Sequence, residues 1–109
     1  SRIQRFTPNG ECIETLGGIG NHIDGSPDRS YFVGDRAYPG YPADIFLYRR
    51  GETTPIATFG GQNFQNCTWK LQIHPNPTFS RDGKSIYFNH PVSENRTEAC
   101  FVEIDDLLK

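Results

Sequence analysis

The chain has 109 residues, 35% of them apolar and 13% aromatic, with eleven glycines and a formal net charge of −2. That length bounds it at one small domain, and the near-neutral charge excludes the electrostatic footprint that nucleic acid or an anionic membrane requires. No apolar run approaches a membrane span, and no signal-peptide pattern opens the chain.

Arg2–Phe6 and Cys12–Leu16 are short β-prone runs around Thr-Pro-Asn-Gly-Glu, a strong turn signal, and read as a hairpin. Gly17–Asn21 links it to His22–Ser26, and a turn through Pro27-Asp28-Arg29 leads into Ser30–Gly34. Asp35–Ala43, with two prolines, two tyrosines and a glycine, reads as a loop. Asp44–Arg49 is the clearest strand of the first half, and Arg50-Gly51-Glu52 turns it back into Pro55–Phe59. Gly60–Asn66 is a second polar loop, and Thr68–Ile73 extends toward His74. Then come Pro77–Ser80, an Arg-Asp-Gly-Lys turn, Ser85–Asn89, a loop at His90–Glu98, Ala99–Ile104 and a last turn at Asp105–Lys109. Helical periodicity is missing throughout, so the expectation is all-β.

Two of these stretches are copies. His22–Gly34 (HIDGSPDRSYFVG) and His74–Asn89 (HPNPTFSRDGKSIYFN) both carry Ser-x-Asp into a turn and leave it through a Ser and apolar residues. Ser26 and Ser80 stand 54 residues apart, so the chain is a repeat. Asp28 and Asp82 read as turn formers, because an Asp can bond its own backbone while Gly83 supplies a positive φ. The strands Ile45–Tyr48 and Ile86–Phe88 are bulky on both faces, the mark of sheets covered on both sides. Short four-stranded antiparallel sheets stacked on their neighbours describe β-propeller blades. The expected division is the end of a preceding blade at 1–17, a blade at 18–60 and an incomplete next blade at 61–109. That is about two and a quarter blades, where closure takes roughly four or more. With no initiator Met, the expectation is a piece of a longer chain that supplies the remaining blades.

Three cysteines, Cys12, Cys67 and Cys100, lie far apart without a CxxC pair, which argues against a disulfide scaffold or a thiolate zinc site. Cys12 and Cys100 fall in apolar strand patterns and are expected as buried small hydrophobes. The sequons at Asn66 and Asn95 carry no weight without a secretory context. Cytoplasm and periplasm of a bacterial-type soluble protein both remain open.

Ser26-Pro27-Asp28 and Ser80-Arg81-Asp82-Gly83-Lys84 resemble the Ser-Pro-Asp-Gly-Lys turn of TolB-type, WD40-like propeller repeats. His74-Pro75-Asn76-Pro77-Thr78-Phe79-Ser80 resembles the His-Pro-His-Pro-x-Phe-Ser segment of oligogalacturonate lyases, which are seven-bladed propellers of pectin degradation. His22, with Tyr31–Asp35, is similar to a preceding blade of that family. The resemblance implies a manganese ion held by three histidines and a glutamine in the central channel. His22 and His74 match two of the histidines, Asn76 stands in the place of the third, and Gln72 is near the glutamine, one residue short in spacing. Imidazole suits a divalent transition metal, and the amide side chains offer a carbonyl oxygen of the hard type that manganese accepts. The plainer reading is that both histidines cap strands or bond loop carbonyls.

The implied activity is β-elimination on uronate oligosaccharides, in which a metal neutralises a carboxylate and a general base removes the neighbouring proton. No base is assigned; His90 follows a second strand. Arg36 offers a bidentate fork for a sugar carboxylate, and Tyr38, Tyr41 and Trp69 offer stacking platforms for a pyranose ring. Packing against the blades is the alternative use for all four. A non-catalytic TolB-like propeller that binds a protein or sugar ligand is the alternative for the whole chain.

Overall fold

The computed structural model describes residues 2–36, 43–61, 74–93 and 96–108. The chain is all-β, with three antiparallel sheets among the described residues, none of them closed. β1 (Ile3–Phe6) and β2 (Cys12–Gly17) make a hairpin. β3 (Ile23–Gly25), β4 (Tyr31–Arg36), β5 (Ala43–Arg49) and β6 (Ala57–Gly61) make a meander in chain order. β7 (Thr78–Phe79), β8 (Ser85–Ser93) and β9 (Arg96–Glu103) make the third sheet, followed by a 3₁₀ turn at Asp105–Leu108.

The turns form for the reason their sequence predicts. Asp28 Oδ1 accepts from the Ser26 hydroxyl and the Ser30 N–H, both at 2.9 Å, and Ser26 Oγ accepts from the Tyr31 N–H at 3.0 Å. The second copy repeats this: Asp82 Oδ1 accepts from Ser80 Oγ (2.6 Å) and Lys84 N (3.0 Å), and Ser80 Oγ accepts from Ser85 N (3.1 Å). These donors hold both carboxyls below their ordinary range, Asp28 chiefly through the Ser30 N–H and Asp82 chiefly through the Ser80 hydroxyl. The left-handed position is filled by Arg29 (φ +64°) in one turn and Gly83 (φ +75°) in the other. Beyond the turns the register carries over, for Asp24↔Val33 and Gly25↔Phe32 recur as Thr78↔Tyr87 and Phe79↔Ile86.

The middle sheet is covered on both faces. Phe32, Phe46 and Tyr48 pack on Ile3 and Leu16 of the hairpin, while Val33, Ile45 and Leu47 pack on Phe79, Ile86 and Ile104. Strand alternation makes this division, since odd and even residues of β4 and β5 leave opposite faces. Polar bonds tie the layers. The Tyr48 hydroxyl, whose pKa burial pushes up, donates to Ile19 O at 2.9 Å; Phe79 N–H donates to Asp24 Oδ2 at 2.7 Å. Among the described residues the third sheet is covered by another sheet on one face, and on the other Tyr87 and Phe101, paired across β8 and β9, are 48% and 57% exposed.

Glu14 joins the hairpin to the middle sheet. Arg50 grips both of its oxygens at 2.7 Å, and Arg5 adds a contact at 3.0 Å. The Arg50 bond, followed by Arg5, lowers its pKa from 4.5 to about 2. A depressed carboxylate contributes stability above its unfolded pKa and loses it as pH falls through the folded one. The melting-temperature gap between wild type and Glu14→Gln is therefore expected above pH 4.5 and to close as pH falls toward about 2. Added salt should shrink it. A gap that survives full protonation would show that Glu14 acts through packing instead.

Several expectations are corrected. The supposed loop at His90–Glu98 is mostly strand: β8 and β9 continue through His90↔Glu98 and Pro91↔Thr97, and the ladder's register shift falls between Pro91 and Ser93. Asp35 and Arg36 remain in β4, opposite Ile45 and Asp44, and Gly60 and Gly61 remain in β6. Cys12, on the hairpin, is exposed, and Cys100, in the middle of β9 opposite Phe88, is only partly buried. Cys67, Thr68–Ile73 and most of the Pro/Tyr loop lie outside the described residues.

Candidate metal centre

The site is set by a close backbone crossing. Gly20 passes Gly34 so tightly that a Cβ built on Gly34 would lie 2.7 Å from Gly20 Cα and 2.9 Å from Ile19 O. Gly34 leaves no room for a side chain there, and a Cβ on Gly20 would lie 3.1 Å from Gly34 Cα. The crossing lays His22 along the end of β4, where Asp35 N–H donates to His22 O (3.1 Å) and Asn21 N–H donates to Asp35 O (2.8 Å). Asp35 leaves β4 on the face of Val33, toward the third sheet.

Its carboxylate is fully buried and heavily used. Oδ1 accepts from the His22 N–H at 2.8 Å, and Oδ2 accepts from the Asn76 N–H at 3.0 Å. His22 Nδ1 sits 3.2 Å from Oδ1 and 3.1 Å from Oδ2. Across from it, the His74 ring stands edge-on to the His22 ring, with centroids 5.0 Å apart and planes at 78°. His22, Asp35 and His74 each bring a ligand atom within 4.8 Å of the others. His74 Nδ1 is buried and has no hydrogen-bond partner among the described residues, a costly state for a polar atom. The His22 side chain is 44% exposed, which leaves the pair a route to solvent.

The two histidines do not occupy corresponding places in the repeat. The shared register sets His22 opposite Asn76 and His74 opposite Gly20. They meet because the approach to β7 carries the second imidazole two residues further from its turn. Asn76 joins the cluster through its backbone N–H and adopts φ +48°, which Asn tolerates better than most residues. The counterpart of Asp35 is Asn89, whose Nδ2 donates to His74 O at 3.3 Å and whose N–H donates to Pro75 O at 2.8 Å. Each sheet thus uses the same strand position to hold the segment entering its first strand.

Arg36 is directed elsewhere. It leaves the opposite face of β4 from Asp35, donates to Asp44 Oδ2 at 2.8 Å and lies 5.3 Å from the Phe46 ring centroid. Asp44 thus engages one of the Arg36 nitrogens, Nη2, and the Arg36 side chain is partly exposed. His90 stands edge-on to Phe88 on β8. Gln72, Tyr38, Tyr41 and Trp69 lie outside the described residues. Sequence reasoning missed Asp35, which it placed at the start of a loop; the available signal was a lone carboxylate closing the apolar run Tyr31–Gly34.

The donor set fits a divalent cation. Two imidazoles, one with a buried unpartnered nitrogen and one held by a carboxylate, form an arrangement common around transition metals. Among the described residues, no helix is long and apolar enough to cross a membrane. No family model matches the chain, and comparisons with curated proteins and with solved structures likewise find no match.

Proposed function

We propose that the chain forms consecutive blades of a β-propeller and carries, at His22 and His74, a divalent-metal site that serves β-elimination on uronate oligosaccharides. The observation that carries the metal reading is the buried, unpartnered Nδ1 of His74 beside the carboxylate-held His22. The propeller reading draws on the three stacked sheets and on the repeat register: Tyr87 and Phe101 are the copies of Val33 and Leu47, which the third sheet covers. A further sheet of the same kind over Tyr87 and Phe101 would continue the array.

In this reading His22 and His74 hold the cation, with manganese the expected ion, and the exposed side of His22 faces the entering sugar. A bound cation supplies Lewis-acid neutralisation of the uronate carboxylate, which acidifies the adjacent C–H. Arg36, whose Nη2 is paired with Asp44, lies on the opposite face of β4 from Asp35. The alternative, a propeller that binds a protein or sugar without turnover, draws on Asn76 in the place of a third imidazole.

The test is manganese titration of the full chain, followed by incubation with oligogalacturonides and ultraviolet detection of unsaturated uronate. Binding that disappears in His74→Ala, together with an absorbance rise, is expected. Binding without absorbance returns the non-catalytic alternative. Neither binding nor absorbance rejects the metal site and the lyase reading together.

A further inference from the structure

We propose that Asp35 is a positioning residue whose buried carboxylate holds His22 as its Nδ1–H tautomer, turning the Nε2 lone pair toward a cation and anchoring the His74 segment through the Asn76 N–H. The consequence for metal affinity rests on the metal reading above; the tautomer and the anchoring do not.

The argument begins with donor counting. A carboxylate is acceptor-only, and here it meets two backbone N–H groups, one on each oxygen, at 2.8 and 3.0 Å. His22 Nδ1 lies within hydrogen-bond distance of both oxygens, so a proton on Nδ1 is bonded, whereas a lone pair there would face anionic oxygen. The neutral ring therefore carries its lone pair on Nε2. With both oxygens already accepting N–H groups, Asp35 is better suited to orienting a ligand than to being one, the usual place of a carboxylate behind a metal-bound histidine.

Architecture alone does not demand a carboxylate at this position. Its counterpart Asn89 ties down the equivalent segment of the third sheet with an amide. What Asp35 adds is an acceptor on each oxygen, which lets one side chain engage His22 and Asn76 together. Asn76 lies two residues from His74, so the same carboxylate orients one imidazole and tethers the chain that carries the other.

The test is nitrogen-15 NMR of the histidine rings in the full, metal-free chain at pH 8.5, with manganese affinity measured separately by electron paramagnetic resonance. Wild-type His22 should show a pyrrole-type Nδ1 and a pyridine-type Nε2. Asp35→Asn puts an NH₂ against one of the two backbone donors, so the separation between the two ring shifts should collapse or invert. Manganese affinity should fall about 10–100-fold. A wild-type His22 protonated on Nε2, or a variant with both shifts and affinity unchanged, overturns the proposal. If wild type binds no manganese yet shows the Nδ1–H tautomer and loses it in Asp35→Asn, the positioning role stands and the metal reading fails. If Asp35→Asn does not fold, as circular dichroism would reveal, the wild-type tautomer decides alone.

Discussion

Leu47→Ala is expected to lower the unfolding free energy by about 2–5 kcal/mol, whereas Phe101→Ala, its register copy one sheet on, should cost less than about 1 kcal/mol. Both are large apolar residues on strands, and both pair across the ladder with the copy of the same partner, Val33 for Leu47 and Tyr87 for Phe101. Only their surroundings differ. Leu47 is completely buried between two sheets, against the cluster of Phe79, Ile86 and Ile104, so truncation removes burial and leaves a cavity. Phe101 is more than half exposed and its ring lies tilted against Tyr87, with ring centroids 5.6 Å apart. Urea unfolding of the two variants, measured side by side, gives the comparison. Equal costs would mean that the outer face of the third sheet is already covered in solution. In a chain where another sheet covers Phe101, the same truncation should rise into the range of buried aromatic deletions, about 3–5 kcal/mol.

Gly34→Ala is expected to destabilise the chain by about 1–3 kcal/mol or more and to separate His22 from Asp35. The added Cβ would meet Gly20 Cα at 2.7 Å and Ile19 O at 2.9 Å, which are backbone atoms that no rotamer change can move. Relief requires the Ile19–His22 segment to lift from β4, and His22 is held there by three contacts to the Asp35 carboxylate and by the Asp35 N–H. Stability should be read by thermal unfolding and the site by manganese titration, with both expected to fall. Loss of stability with unchanged affinity would uncouple the crossing from the site. Unchanged stability would show that the segment can shift freely, which contradicts so close an approach.

The parts of this architecture that were legible in the sequence are those made by local chemistry. Ser26-x-Asp28 and Ser80-x-Asp82 announce themselves because each turn closes through its own side chains within five residues. The run Ile45–Tyr48 announced a strand buried on both faces, and it is one. The run Ile86–Phe88 carried the same signal, but its Tyr87 lacks a covering sheet among the described residues. Strand length was harder to read. Pro91 and the polar stretch after it suggested a loop, yet the ladder runs on because β9 supplies partners that no local propensity encodes.

For the candidate site, His22 and His74 stood out by residue type and by nearness to the repeated turn, but they do not meet as equivalent positions of the repeat. Taken as matching positions, they are offset by two residues once the turns are superposed, and Asn76 takes the place of His22 in the second copy. Asp35 was hidden by its neighbours: the Pro- and Tyr-rich stretch that follows made Asp35 look like the start of a loop, when it ends a strand.

By itself the sequence determined an all-β chain built on a repeat of 54 residues, with two histidines close to the repeated turns. Local hydrogen bonding and side-chain alternation are short-range properties, so they can be read directly from residue order. Only the tertiary structure decided that Gly20 crosses Gly34, that Asp35 lies buried beneath His22, and that the Asn76 N–H and the His74 ring reach that cluster from another sheet. The His22–Asp35 bond joins residues 13 positions apart and the Asn76–Asp35 bond residues 41 apart, the latter through the stacking of two sheets, and no local pattern records either.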